Sequence, residues 1–127
     1  ALIDMCVVIV DASLRDLGST YWLIDKVLKP NLSEDRILIA LNQADMAMKG
    51  RGWDETKNAP TPKLRAFLDE KARSIHKRIM ENNFNSAQSL YSLPQPVYYS
   101  AQTGYNVDKF FDFIIENLPK QRRVIDF

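Results

Sequence analysis

The sequence is poor in cysteine and has no long hydrophobic run. Cys6 is its only cysteine, so the chain holds no internal disulfide, which fits a reducing, cytoplasmic environment. The apolar runs are too short to span a bilayer. Basic and acidic residues nearly balance, at a net charge of +1, so bulk charge does not indicate nucleic-acid binding.

Glycine is also scarce, and this excludes the phosphate-binding motifs of a nucleotide hydrolase. The four glycines are Gly18, Gly50, Gly52 and Gly104. No pair has the spacing of a G-x-x-x-x-G-K-[ST] loop, which cradles phosphates and helps to hold magnesium. A D-x-x-G turn is absent as well, because the residues three positions before the glycines are Arg15, Ala47, Lys49 and Ala101.

The apolar pattern predicts one α/β domain. With 46% hydrophobic and 26% charged residues over 127 positions, the composition is that of a globular protein. Apolar segments predict strands at 5–10, 36–41 and 97–99, and the first two are solid blocks typical of strands covered on both faces. Helical periodicity predicts helices at 20–28, 62–80 and 107–118, with Asn106 as the cap of the last one.

The alternation of strands and helices favours parallel strands joined by right-handed crossovers. Residues 49–60 and 82–95 are predicted to be loops. In an open parallel sheet, ligands bind beyond the carboxyl ends of the strands. The polar residues at these ends are Asp11, Asn42, Asp45 and Ser100.

Asn42 and Asp45 end the buried segment ILIALNQAD with a spacing that suits recognition of a base. An ionised carboxylate only accepts hydrogen bonds, so it fits the adjacent ring N–H and amino group of guanine and rejects adenine. The alternative interpretation is a simple turn after the strand, because Asn and Asp both favour turns.

The segment VYYSAQTG adds a second polar strand end. Ser100, Ala101 and Gln102 follow the last predicted strand, and Gly104 permits a tight turn. Backbone N–H groups of such a loop can donate to a base carbonyl oxygen. Alternatively, Ser100 and Thr103 simply cap the following helix.

These motifs resemble those of the Era-like bacterial GTPases. NQAD is similar to their N/T-K-x-D motif and SAQ to their S-A-K motif, and the longer stretches VIVDASLRDLGSTYWLIDKVL and ALNQADMAMKGRGWD are similar to the YfjP/YeeP-type GTP-binding proteins. The resemblance implies that Asp45 binds the guanine N1–H and amino groups, that Asn42 supports the base, and that Ser100 braces the loop. Ala101 would then meet the base oxygen. Gln43 stands where the family usually has Lys.

The resemblance further implies an incomplete, three-layer P-loop-NTPase-like sheet, with residues 1–127 as the C-terminal part of a G domain. The absence of an initiator Met fits that expectation. GTP or GDP would be the ligand, and Mg²⁺ would be bound only by the intact parent protein, which would be the GTP hydrolase. This chain alone is expected not to hydrolyse GTP. Ribosomal RNA is a partner by family analogy only.

Three alternatives remain open from the sequence. CVVIVD matches a Walker B strand, in which Asp11 would hold magnesium. Asp11 with Ser100–Ala101 also fits a receiver domain that accepts phosphate. A degenerate G domain could instead bind a protein partner and no nucleotide.

Other polar and aromatic residues have simpler interpretations. Asp11 and Ser13 are expected to shape the turn after their strand, and His76 is expected to be solvated. Four large aromatic residues are expected to pack against the protein and not to stack on a base: Trp22, Trp53, Tyr98 and Tyr99. The segment 5–10 has no Lys or Pro to protect a strand edge, so the chain is expected either to self-associate through it or to exist only as part of a longer chain.

Overall fold

A computed structural model describes residues 4–81 and 92–119. Three strands form one parallel sheet: β1 (Cys6–Asp11), β2 (Ile37–Asn42) and β5 (Val97–Tyr98), in the order β1-β2-β5. Asp11 pairs with Asn42, and Leu41 pairs with Tyr98, so the strand ends meet at one edge of the sheet. The predicted small parallel sheet is thereby confirmed, with each strand boundary within one residue of the prediction.

The helices flank the sheet as predicted. They are α1 (Gly18–Leu23), which continues into a π-helical turn (Ile24–Leu28), α2 (Pro62–Glu81) and α3 (Val107–Glu116). Pro62 is the first residue of α2, where its missing N–H and fixed φ cost nothing. In the described part of the chain, no helix is long and apolar enough to cross a membrane.

Different helices pack on the two faces of the sheet. The π-helical turn and α2 pack on the face that includes Val8, Val10 and Ile39, and form the larger core. On the opposite face, α3 packs Phe110 against Ala40 and Tyr99, whose ring stacks on that of Phe110 at 4.2 Å. The central strand β2 is buried along residues 37–41, as its solid apolar block predicts.

Strand β1 departs from that prediction. Its side chains alternate, and Ile9 is 56% exposed while Val8 and Val10 are buried. The physical reason is the position of β1 at an edge of the described sheet. On the face where α3 packs, α3 does not reach far enough to cover Ile9. An unbroken apolar run therefore does not guarantee cover on both faces.

The segment predicted as a loop at 49–60 contains a β-hairpin. Strands β3 (Trp53–Asp54) and β4 (Ala59–Pro60) pair in antiparallel fashion. Gly52 precedes the hairpin with φ +81°, and a Cβ atom there would lie 2.9 Å from Leu64 Cβ. Only glycine fits this close approach of the hairpin to α2.

Several smaller predictions are wrong. His76 is not simply solvated, since its Nε2 donates to the carbonyl oxygen of Leu93 at 2.8 Å. Trp22 is 61% exposed and does not pack in the core. Asn106 precedes α3 without capping it, because its side chain donates to the Tyr98 carbonyl oxygen. The predicted loop at 82–95 lies partly outside the described residues.

Candidate functional site

The first half of the site is the turn that follows β2. Gln43 adopts a left-handed conformation at φ 63° and ψ 38°, and its N–H donates to Asn42 Oδ1 at 2.7 Å. A 3₁₀ turn (Ala44–Met46) comes next and carries Asp45. The Ala44 N–H donates to the Tyr99 carbonyl oxygen at 3.0 Å, which ties the turn to the end of β5.

The second half is the loop that follows β5. Ser100 is fully buried, and its N–H donates to the Tyr105 carbonyl oxygen at 2.9 Å. Gly104, at φ +81°, closes the loop by donating its N–H to the Ser100 carbonyl oxygen at 2.9 Å. The N–H of Thr103 donates to Ser100 Oγ at 3.1 Å. These bonds make the loop compact around the Ser100 side chain.

Two hydrogen bonds join the halves directly. The Ser100 hydroxyl donates to Asp45 Oδ1 at 2.9 Å, and the Ala101 N–H donates to Asn42 Oδ1 at 3.0 Å. The structure therefore brings together four residues that the sequence places after two strands: Asn42, Asp45, Ser100 and Ala101. The helix-cap alternative for Ser100 fails, because its hydroxyl is directed to Asp45 and α3 begins only at Val107.

The hydrogen bonds leave specific groups of the site available. Asp45 is half-buried and its Oδ1 atom accepts from Ser100, while no donor among residues 4–81 and 92–119 occupies Oδ2. The Ala101 N–H is already occupied by Asn42. Within the described residues the N–H of Gln102 has no acceptor. An acceptor-only carboxylate and an unused backbone donor are thus placed on adjacent loops.

Asp11 gathers donors at the neighbouring strand end. Its Oδ1 accepts from the Ser13 N–H at 2.9 Å and from the Ser13 hydroxyl at 2.6 Å, which confirms the predicted turn. With its amide nitrogen facing Asp11, the Gln43 side chain donates to the same carboxylate. Asp11 therefore supports the left-handed turn that precedes Asp45.

Lys71 of α2 holds the loop after β1 from the other side. Its Nζ donates to the carbonyl oxygens of Ala12 at 2.7 Å and Leu14 at 2.6 Å. Burial lowers the pKa of the Lys71 ammonium, and the Asp11 carboxylate opposes this shift. Sequence reasoning missed Lys71, since one lysine on an amphipathic helix carries no signal for a contact with a distant loop.

Asp11→Ala is expected to lower the free energy of unfolding by about 1 kcal/mol, because Ser13 and Gln43 lose a shared acceptor. The check is urea unfolding followed by circular dichroism. Asp16→Ala is the matched control in the same loop, where Asp16 Oδ1 accepts a hydrogen bond from the Gly18 N–H. Equal losses in the two variants would contradict a special role for Asp11 in supporting the turn.

Metal binding has no visible basis in residues 4–81 and 92–119. No three His, Cys, Asp or Glu side chains in this part of the chain are grouped so that they could hold an ion. Asp11 is engaged by Ser13 and Gln43, so a metal at that carboxylate would have to displace these donors. The Walker B interpretation of β1 therefore gains no support from the geometry.

Comparison of the chain with protein-family models, curated proteins and solved structures found no match. The resemblance to Era-like GTPases therefore stays a prediction. The site consists of a carboxylate, an amide and a loop of backbone donors at one edge of a parallel sheet.

Proposed function

We propose that this chain binds the base of a guanine nucleotide, as the base-recognition part of an Era-like GTPase with a P-loop-NTPase-like sheet. The observation that carries the proposal is the pair of hydrogen bonds joining the loops, from Ser100 to Asp45 and from Ala101 to Asn42. A simple turn after β2 would not require a buried serine in the loop after β5 to orient its carboxylate.

Asp45 would bind the Watson–Crick edge of the base. Its carboxylate would accept hydrogen bonds from the guanine N1–H and from the exocyclic amino group. Ser100, which already donates to Oδ1, restrains the carboxylate before the ligand arrives. Adenine has no such donor pair, so it would leave the carboxylate unpaired and bind less tightly.

The base oxygen would be bound by the loop after β5. The unused N–H of Gln102 is the available donor, and the Ala101 N–H would join it if Asn42 shifted its amide toward the base. The aliphatic stem of Gln43 would lie against the ring in place of the lysine that the family usually has.

Phosphate and magnesium binding are assigned to residues outside these 127. The chain has no P-loop and no D-x-x-G turn, and phosphoryl transfer depends mostly on positioning and charge stabilisation by such parts. We therefore propose weak binding of the base and no GTP hydrolysis by the chain alone. A dissociation constant on the order of 1 mM corresponds to about 4 kcal/mol of binding free energy, which a few base contacts can supply.

The test is a titration of the ¹⁵N-labelled chain with GMP and AMP, followed by amide chemical shifts. Saturable shifts are expected at Asn42, Asp45 and Gln102 with GMP, and at most small, unsaturated shifts with AMP. If 10 mM GMP, a concentration about tenfold above the proposed constant, moves none of these signals, the guanine proposal fails. The chain would then fit the alternative of a domain that binds a protein partner and no nucleotide.

A further inference from the structure

We propose that the hairpin Trp53–Pro60 positions the loop that binds the base oxygen, and that Asn58 is the positioning residue through which it acts. This inference rests on the proposed function, since it assigns the hairpin a role in base affinity. The hairpin lies between the Asp45 turn and α2 in sequence, yet its side chains contact the loop after β5.

Two contacts connect the hairpin to that loop. The Asn58 Nδ2 donates to the Thr103 carbonyl oxygen at 2.9 Å. The Trp53 ring meets the Tyr105 ring edge to face, with centroids 5.2 Å apart and an interplanar angle of 84°. The loop is thus held on the hairpin side as well as on the side of Asn42 and Asp45.

The hairpin itself is fixed to the start of α2. The Thr61 N–H donates to the Gly52 carbonyl oxygen at 2.7 Å, and the close approach of Gly52 to Leu64 leaves no space for a side chain. At its tip, the Lys57 N–H donates to Asp54 Oδ1 at 3.1 Å. Asn58 therefore projects from an anchored element, which a positioning residue requires.

The route from Asn58 to the base runs through Thr103. The Thr103 carbonyl accepts from Asn58, while the Thr103 N–H donates to Ser100 Oγ. Loss of the Asn58 contact frees the outer part of the loop, which carries the N–H of Gln102. Asp45 keeps its own 3₁₀ turn and its bond to Ser100, so recognition of the exocyclic amino group is expected to persist.

Asn58→Gly tests this route cleanly. Asn58 has φ 49°, a conformation that glycine adopts without strain, so the change removes the donor and keeps the backbone. The matched control is Lys49→Gly, at another left-handed position with φ 58°. Both variants are first shown to be folded by circular dichroism and thermal unfolding.

The readout compares GMP with IMP, which keeps the base oxygen and N1–H but lacks the amino group. In Asn58→Gly both affinities are expected to fall about three- to tenfold, the size of one lost hydrogen bond, with the GMP to IMP ratio unchanged. Affinities equal to those of Lys49→Gly would overturn the inference. A ratio that collapses to one would also overturn it, because the hairpin would then act through Asp45.

Asn58→Asp gives a second, independent measurement. The aspartate keeps the shape and the tolerance of positive φ but turns an oxygen toward the Thr103 carbonyl, so the same loss or a larger one is expected. Wild-type affinity in this variant would contradict the role of the donor. If the unmodified chain binds neither nucleotide, the proposed function fails; if it binds both and Asn58 has no effect, only this inference fails.

Discussion

Asp45→Asn is expected to reverse the proposed base preference of the chain from guanine to xanthine. The asparagine oxygen still accepts from the base N1–H, but the side-chain NH₂ now faces the exocyclic amino group of guanine, donor against donor. Xanthine carries a carbonyl at that position and suits the amide. Loss of charge-assisted hydrogen bonds of about 1.5–3 kcal/mol each predicts a GMP affinity roughly a hundredfold lower.

The measurement is the same chemical-shift titration, with GMP and XMP added to the wild type and the variant. Asp112→Asn is the control, an equal change of charge on an exposed residue of α3. We expect XMP to shift the amides of the site only in Asp45→Asn. Unchanged GMP binding in that variant would remove Asp45 from the site and with it the guanine assignment.

The unmodified chain is expected to self-associate through β1, and Ile9→Lys is expected to make it a monomer. Strand β1 pairs only with β2 in the described sheet, so its other side presents unpaired N–H and C=O groups. The exposed Ile9 side chain adds apolar surface at the same place, 56% of it accessible. Such an edge is a template for pairing with another strand, and an edge lysine opposes this.

Sedimentation velocity over a range of chain concentrations checks this expectation. Ile9 is the informative position, since its neighbour Val8 is only 8% exposed and a lysine there would disrupt the core. Phe67→Lys is the control, an exposed apolar residue on α2. A monomeric unmodified chain at high concentration would show that another segment covers the β1 edge.

The fold was predictable where the local sequence pattern indicates which residues are buried. It was less predictable where burial depends on residues far away in the sequence. The solid block of β2 and the three-and-four periodicity of α2 carry their own signal, because each depends on the residue's own element. Ile9 lies in an apolar run of sequence like that of a central strand. Its exposure, however, depends on which strands lie beside β1, and the run itself does not show this. The strands of the β3–β4 hairpin are two residues long, too short for any periodicity to appear.

The position of the site was predictable from the sequence, but the hydrogen bonds that connect it to the rest of the fold were not. Because parallel strands end at one edge, Asn42, Asp45 and Ser100 could be expected to lie together. The contacts of Lys71 with the loop after β1 and of Asn58 with Thr103 join residues far apart in sequence. One signal was available for the hairpin: an Asn between turn residues often adopts positive φ, as Asn58 does.

The left-handed conformation of Gln43 sets backbone strain against side-chain contacts at one residue. At φ 63°, the backbone alone would prefer glycine, which avoids the strain of a side chain in this region. The contact with Asp11 and the proposed contact with the base both need a long polar side chain. Glycine at position 43 would therefore relieve the backbone strain but lose the Asp11 contact, so its net effect on heat resistance is expected to be small, while selection for nucleotide retention would keep glutamine or a similar side chain.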